Sequence, residues 1–179
     1  MDWYEFIAQA VGICGMVMNI LSYQQRSQKG ILLMQFIGGC FFAVNFYMLG
    51  AMTGFLMNVV GIIRAVVYYN KAKIKRMDVV NGVFVAAFIL SYFLTFTVFA
   101  KPVLWQNLLI ECLPVVAMCV LTFGFYAKKA STTRKTTLIG SPLWLIYNLI
   151  NRSTGGIICE SISLCSVLIA IYRYDVKKK

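Results

Sequence analysis

Apolar runs of about 17–22 residues, long enough to cross a bilayer, recur along the chain between charged or turn-forming segments. They predict seven transmembrane helices near residues 3–23, 31–49, 52–69, 79–99, 103–126, 138–150 and 154–172. The sixth is short and contains Pro142, and the fifth contains Pro114. Between them lie the polar segment Gln24 to Gly30, the turn Gly50 to Gly54, the basic loop Asn70 to Arg76, the turn at Lys101-Pro102, a loop from Ala127 to Thr137, and a second tight turn around Asn151 to Thr154.

Two of these passages have the same plan. Trp144 to Glu160 reads as an aromatic helix end with Asn148, a polar turn with Gly155-Gly156, then an acid inside the next helix. Ala43 to Asn58 reads as an aromatic helix end with Asn45 and Tyr47, a Gly-rich turn with Thr53-Gly54, then a polar amide inside the next helix. At an offset of 102, Gly38-Gly39 meets Gly140-Ser141, Thr53-Gly54 meets Gly155-Gly156, Arg26 meets Lys128 and Asn58 meets Glu160. Spans one to three therefore pair with five to seven, and the fourth restores the direction of the second half. The expected fold is an all-α integral membrane protein with two parallel three-helix repeats joined by a linker helix, 3+1+3. The expected divisions are residues 1–76, 77–101 and 102–179.

Composition agrees with membrane insertion. The chain is 60% hydrophobic and 15% aromatic, with mean hydropathy +0.77, more apolar surface than a soluble domain of this length hides. The net charge of +11 sits in short clusters between apolar runs, not on a basic face with stacking aromatics, so nucleic acid is not an expected partner. Fourteen Lys and Arg fall in the loops after spans one, three and five and in the tail, against Lys101 and Arg152 on the other side. The charge rule then puts the N-terminus outside and the C-terminus in the cytoplasm. Asp2 and Glu5 stand where a signal peptide would be positive, so the first helix is expected to be retained. There is no histidine, and the six cysteines lie in apolar stretches without a CxxC. With no GxSxG either, no enzyme, metal site or cofactor is expected.

The 3+1+3 plan, with Trp144 to Asn148, Gly155-Gly156, Glu160 and the Asn45 to Gly54 segment, resembles the SWEET and PQ-loop transporter superfamily. Within it the chain most resembles the YgjV-like bacterial inner-membrane proteins. The resemblance implies a bacterial inner-membrane location and transport by rocking of the two halves. The superfamily's Pro-Gln pair reads Tyr23-Gln24 here and Phe125-Tyr126 in the second half, so its proline is absent from both. In sugar-carrying relatives, paired asparagines on the third helix of each half line the pocket. Asn58 matches that position, and Glu160 stands where the second asparagine would be.

The residues themselves supply the candidates for a binding site. Glu160 lies roughly 9 Å in from the end of its span at about 1.5 Å per residue, and Asn58 lies at a similar depth. An acid there costs roughly 2.5–3.5 kcal/mol unless it is paired, neutral or faces water. It either lines a cavity or ties its helix to Asn148. Glu111 lies in the fifth span just before Pro114, and Arg64 in the third. Arg64 pairs with an acid, snorkels to headgroups, or meets an anionic solute; Glu111 and Glu160 suit a cationic or proton-coupled one. Asn45 and Asn148 sit among aromatics that suit a small solute or an interfacial belt.

The pattern thus points to a transporter or facilitator of a small solute working by alternating access between the halves. The alternative is a non-transporting inner-membrane receptor, scaffold or assembly protein. Expected partners are a small-molecule solute and membrane lipids; the pattern also allows a homo-oligomer.

Overall fold

The computed structural model describes residues 3–23, 28–126, 130–172 and 176. Among them are seven α-helices: α1 (Trp3–Tyr23), α2 (Gln28–Met48), α3 (Met52–Tyr69), α4 (Met77–Thr97), α5 (Trp105–Tyr126), α6 (Ala130–Ile150) and α7 (Thr154–Ile171). A short 3-10 turn, Lys71–Lys73, precedes α4. Among the described residues, four helices are long and apolar enough to cross a membrane: Trp3–Ser22 of α1, α3, α4 and α5. The apolar parts of α2 and α7, Leu32–Met48 and Thr154–Ile169, are shorter.

Helix α6 differs most from expectation. Its helix begins at Ala130, eight residues before the expected start at 138, so most of the expected loop is helical. The reason is physical. The segment Ala130 to Thr137 is polar but lacks glycine and proline, so nothing breaks the helix where the apolar run stops. Hydropathy marks the edge of the apolar run, not the end of the hydrogen-bonded ladder. The opposite correction applies to α4, which ends at Thr97 rather than 99 and is followed by a non-helical stretch containing Pro102.

The helices pack as neighbours α1 with α2, α2 with α3, α5 with α6 and α6 with α7, and the ring closes through α1 with α7 and α3 with α5. Helix α4 packs on α3 and α5. It buries Phe84, Phe88, Ser91 and Thr95, spaced at three to four residues, and exposes Val83, Leu90 and Phe93 on its far side. An outward face this apolar suits lipid rather than water. The shared core includes Phe42, Phe46, Met57, Tyr68, Phe88, Met118, Trp144 and Tyr147.

Helices α1, α2 and α3 begin at residues 3, 28 and 52; α5, α6 and α7 begin at 105, 130 and 154, each 102 residues later. The connections repeat as well. After α2, Gly50 has φ +69°, its N–H bonds to the Tyr47 carbonyl at 3.1 Å, and the Ala51 N–H reaches the Phe46 carbonyl at 2.9 Å. After α6, Arg152 has φ +55°, its N–H bonds to the Leu149 carbonyl at 3.3 Å, and the Ser153 N–H reaches the Asn148 carbonyl at 3.0 Å. Both are Schellman caps, closing the preceding helix through one left-handed residue. Side-chain bonds between the two turns put them at one end of the bundle, the turn end. The 3-10 turn, with Lys71, Lys73, Lys75 and Arg76 in and just after it, lies at the opposite, basic end. Of the other expected basic clusters, Arg26, Lys128, Lys129, Arg173 and Lys177 to Lys179 lie outside the described residues, and so does the Lys29 side chain.

Candidate functional site

The polar side chains gather mainly at the turn end, in two groups. The first ties α1 and α2 to the α6–α7 turn. Asn45, one turn before the end of α2 and fully buried, donates from Nδ2 to the Ala8 carbonyl at 2.8 Å and accepts from the Ser153 hydroxyl at 2.7 Å. Gln9 of α1 donates to the Arg152 carbonyl at 2.9 Å and accepts from the Thr154 N–H at 3.0 Å. One of the free donors at the start of α7 is thereby satisfied from another helix.

The second group ties α5 and α6 to the start of α3. The Tyr147 hydroxyl accepts from the Gly54 N–H at 2.9 Å and donates to Glu111 Oε2 at 3.2 Å. Glu111 Oε1 is paired with the ammonium of Lys101. Glu111 is fully buried, while the Lys101 side chain keeps some exposure. Lys101 follows Ala100, whose φ of +49° turns the chain back toward α5. Thr53 donates to the Thr95 hydroxyl at 2.6 Å, because Thr95 already donates to the Ser91 carbonyl at 3.0 Å. This bond attaches α4 to the same layer. The rings of Phe46, Trp144 and Tyr147 lie 5.8–5.9 Å apart and fill the space between α2 and α6.

Asn58 and Glu160 lie farther along α3 and α7 and are half-buried. Asn58 donates to the Gly54 carbonyl of its own helix at 2.9 Å. Glu160 lies beside Ser141 of α6, and no hydrogen bond ties it to Asn148 among the described residues. Asn148 is buried against Gly156, and among the described residues its Oδ1 is the one buried side-chain oxygen without a partner.

Arg64 lies closer to the basic end. Its guanidinium donates to the Thr122 hydroxyl and stacks 5.6 Å from the Phe88 ring and 5.1 Å from the Phe125 ring. No acid pairs with it among the described residues. The cation is wedged between α4 and α5, held by aromatic faces.

The structure therefore separates the six sequence candidates. Asn45, Glu111 and Asn148 belong to the turn end, Asn58 and Glu160 to a half-buried level beyond it, and Arg64 to the α3–α4–α5 contact. Gln9, Ser153, Lys101 and Tyr147 were missed as members of the polar layer. One signal for Gln9 was present, because Gln9 lies 102 residues before Glu111.

A family model for bacterial inner membrane proteins, YgjV, matches residues 6–178, almost the whole chain. The chain belongs to the YgjV family. The family description agrees with the apolar helices: this is a bacterial inner membrane protein. Neither a curated protein nor a solved structure matches the chain. The roles of residues in this YgjV-family chain thus rest on their own geometry.

Proposed function

We propose that the chain is a transporter or facilitator of a small solute, working by alternating access between a first half (α1 to α3) and a second half (α5 to α7) joined by α4. One observation carries this reading. Exchanging α1, α2, α3 for α5, α6, α7 leaves the pattern of packed pairs among these six helices unchanged, including the two contacts between halves, α1 with α7 and α3 with α5, while α4 stands outside it on α3 and α5. Two like units meeting at equivalent helices can rock about a shared site, as in repeat-built transporters. Asn58 and Glu160, 102 residues apart, place one polar group on each half at the same register, beyond the turn end. In this reading the turn end is the outer face and is closed, the basic end faces the cytoplasm, and the solute meets Asn58 and Glu160 from that side. Architecture alone does not name a function, so the solute must come from experiment.

The test is a thermal-shift screen of purified protein against small metabolites, followed by flux of any hit into proteoliposomes. A ligand at 100 times its dissociation constant stabilises the folded state by about 2.7 kcal/mol. The expected result is stabilisation of the wild type that Asn58→Ala and Glu160→Gln both lose, with flux lost in parallel. Flux that both variants retain in full would sink the assignment of the site. A bound metabolite with no flux at all would favour a receptor over a transporter.

A further inference from the structure

At the basic end, α2 and α3 leave an open groove of about 200 Å³, lined by Leu32, Leu33, Phe36, Ala65, Val66, Tyr69 and Asn70. Its wall is almost wholly apolar. Among the exposed positions of α2 and α3, Leu33 and Val66 are both about half open, at 49%. The next residue after Asn70 is Lys71. The Lys73 N–H bonds to the Asn70 carbonyl at 2.9 Å and the Ile74 N–H to the Lys71 carbonyl at 3.1 Å, so the 3-10 turn folds directly onto the end of α3. Lys71 and Lys73 thus start within one turn of the groove's mouth, with Lys75 and Arg76 next. Asp78 is the nearby acid in sequence, and it lies 3.8 Å from Arg76.

We propose that this groove is a binding site for an anionic phospholipid, one acyl chain lying between Leu33, Phe36 and Val66 and the phosphate held by Lys71 and Lys73. The apolar wall fits hydrocarbon, and the long lysine stems allow the ammonium groups to sit at headgroup level. Charge complementarity chooses this occupant over a second copy of the chain. A parallel pair of copies meeting at this groove would bring two identical basic turns together, in a chain whose net charge is already +11. The proposal is independent of transport.

The experiment is native mass spectrometry of the full chain after exchange into nanodiscs of equal phosphatidylcholine and phosphatidylglycerol, then ejection into detergent. The wild type should retain phosphatidylglycerol several-fold over phosphatidylcholine. Val66→Trp fills the groove and should lose both lipids. Leu33→Trp does the same from the α2 side and decides the matter if Val66→Trp does not fold. Lys71→Gln with Lys73→Gln should keep an occupant but lose the preference. Equal retention of the two lipids by the wild type would overturn the proposal, as would retention unchanged in folded tryptophan variants. So would a dimer that either tryptophan variant dissociates, because the occupant would then be a second copy.

Discussion

The α2–α3 turn and the α6–α7 turn share a backbone and differ in what holds them. Each has one left-handed residue, Gly50 or Arg152, and the same pair of capping bonds. Each receives a polar group from the opposite half. The α6–α7 turn is held by neutral groups: Gln9 reaches its backbone, and Asn45 holds Ser153. At the α2–α3 turn the contact runs from the Gly54 N–H through the Tyr147 hydroxyl to a buried carboxylate and its ammonium partner. Gln9 and Glu111 are equivalent by the 102 offset, and so are Asn45 and Tyr147, so the change from a neutral fastening to an ionic one goes with an amide-to-acid and an amide-to-phenol difference and with the added Lys101. The two turns keep the same backbone closures while the side chains around them differ in charge. Under the proposed function, the ionic fastening is the one that a change in charge could release.

The largest effect should come from breaking that asymmetry at its source. Glu111→Ala leaves Lys101 without its partner and the Tyr147 hydroxyl without its acceptor. Removing one member of a buried pair typically costs about 3–5 kcal/mol. Gln9→Ala removes two bonds at an exposed edge and should cost about 1 kcal/mol. Thermal unfolding in one detergent compares the two directly. Equal losses would mean that the ion pair holds the α2–α3 turn no more firmly than the amide holds its counterpart. Glu111→Gln keeps the shape and one acceptor and should fall between them.

The glycines after the turns sharpen the comparison next. A Cβ on Gly155 would lie 2.3 Å from the carbonyl carbon and oxygen of Gly12, so Gly155→Ala must push α1 and α7 apart along rigid backbone. A Cβ on Gly54 would meet side-chain atoms, the Phe46 and Tyr147 rings at 2.9 Å, which can shift. Overpacking costs typically 1–3 kcal/mol. Gly155→Ala should lie at or above the top of that range and Gly54→Ala near its bottom. The ranking reads out as the difference in melting temperature. A reversed ranking would show that the α1–α7 crossing gives way more easily than the aromatic packing between α2 and α6.

Much of this frame was legible in the residues. Apolar runs placed all seven helices, and the Gly50 turn and the turn around Asn151, with the 102 offset, placed the two tight connections, although Gly155 and Gly156 lie inside α7 rather than in the turn. The start of α6 was not legible, because Thr132 to Thr137 is polar by composition and helical by the absence of a breaker. The polar layer was only half legible. Asn45 and Glu111 stand out as polar groups in apolar helices, but what they touch depends on α1 meeting α7 and on α5 facing the α2–α3 turn. No local pattern encodes those contacts. Lys101 read as a turn marker beside Pro102, and its pairing with Glu111 depends on the left-handed Ala100. Arg64 read as a cation seeking an acid or a headgroup; its aromatic partners come from α4 and α5, which only the tertiary packing brings to α3.

The smallest predicted effect concerns the left-handed residue itself. Gly50 adopts its φ of +69° at no steric cost, whereas Arg152 holds +55° with a Cβ, a conformation that costs an L-residue roughly 1–2 kcal/mol. The Arg152 groups that the structure uses are its backbone N–H and its carbonyl, which accepts from Gln9. A glycine at this position keeps both. Against the relieved strain stands the greater freedom of glycine in the unfolded chain, about 0.4–1 kcal/mol. Arg152→Gly should therefore stabilise the protein slightly, by about 0.5–1 kcal/mol, seen as a small rise in melting temperature. Gly50→Arg, the reverse change at the equivalent place, should lower it. If Arg152→Gly instead destabilises, the two turns are alike in shape but not in what their left-handed residue contributes, and the Arg152 side chain must be making a contact that its glycine counterpart does without.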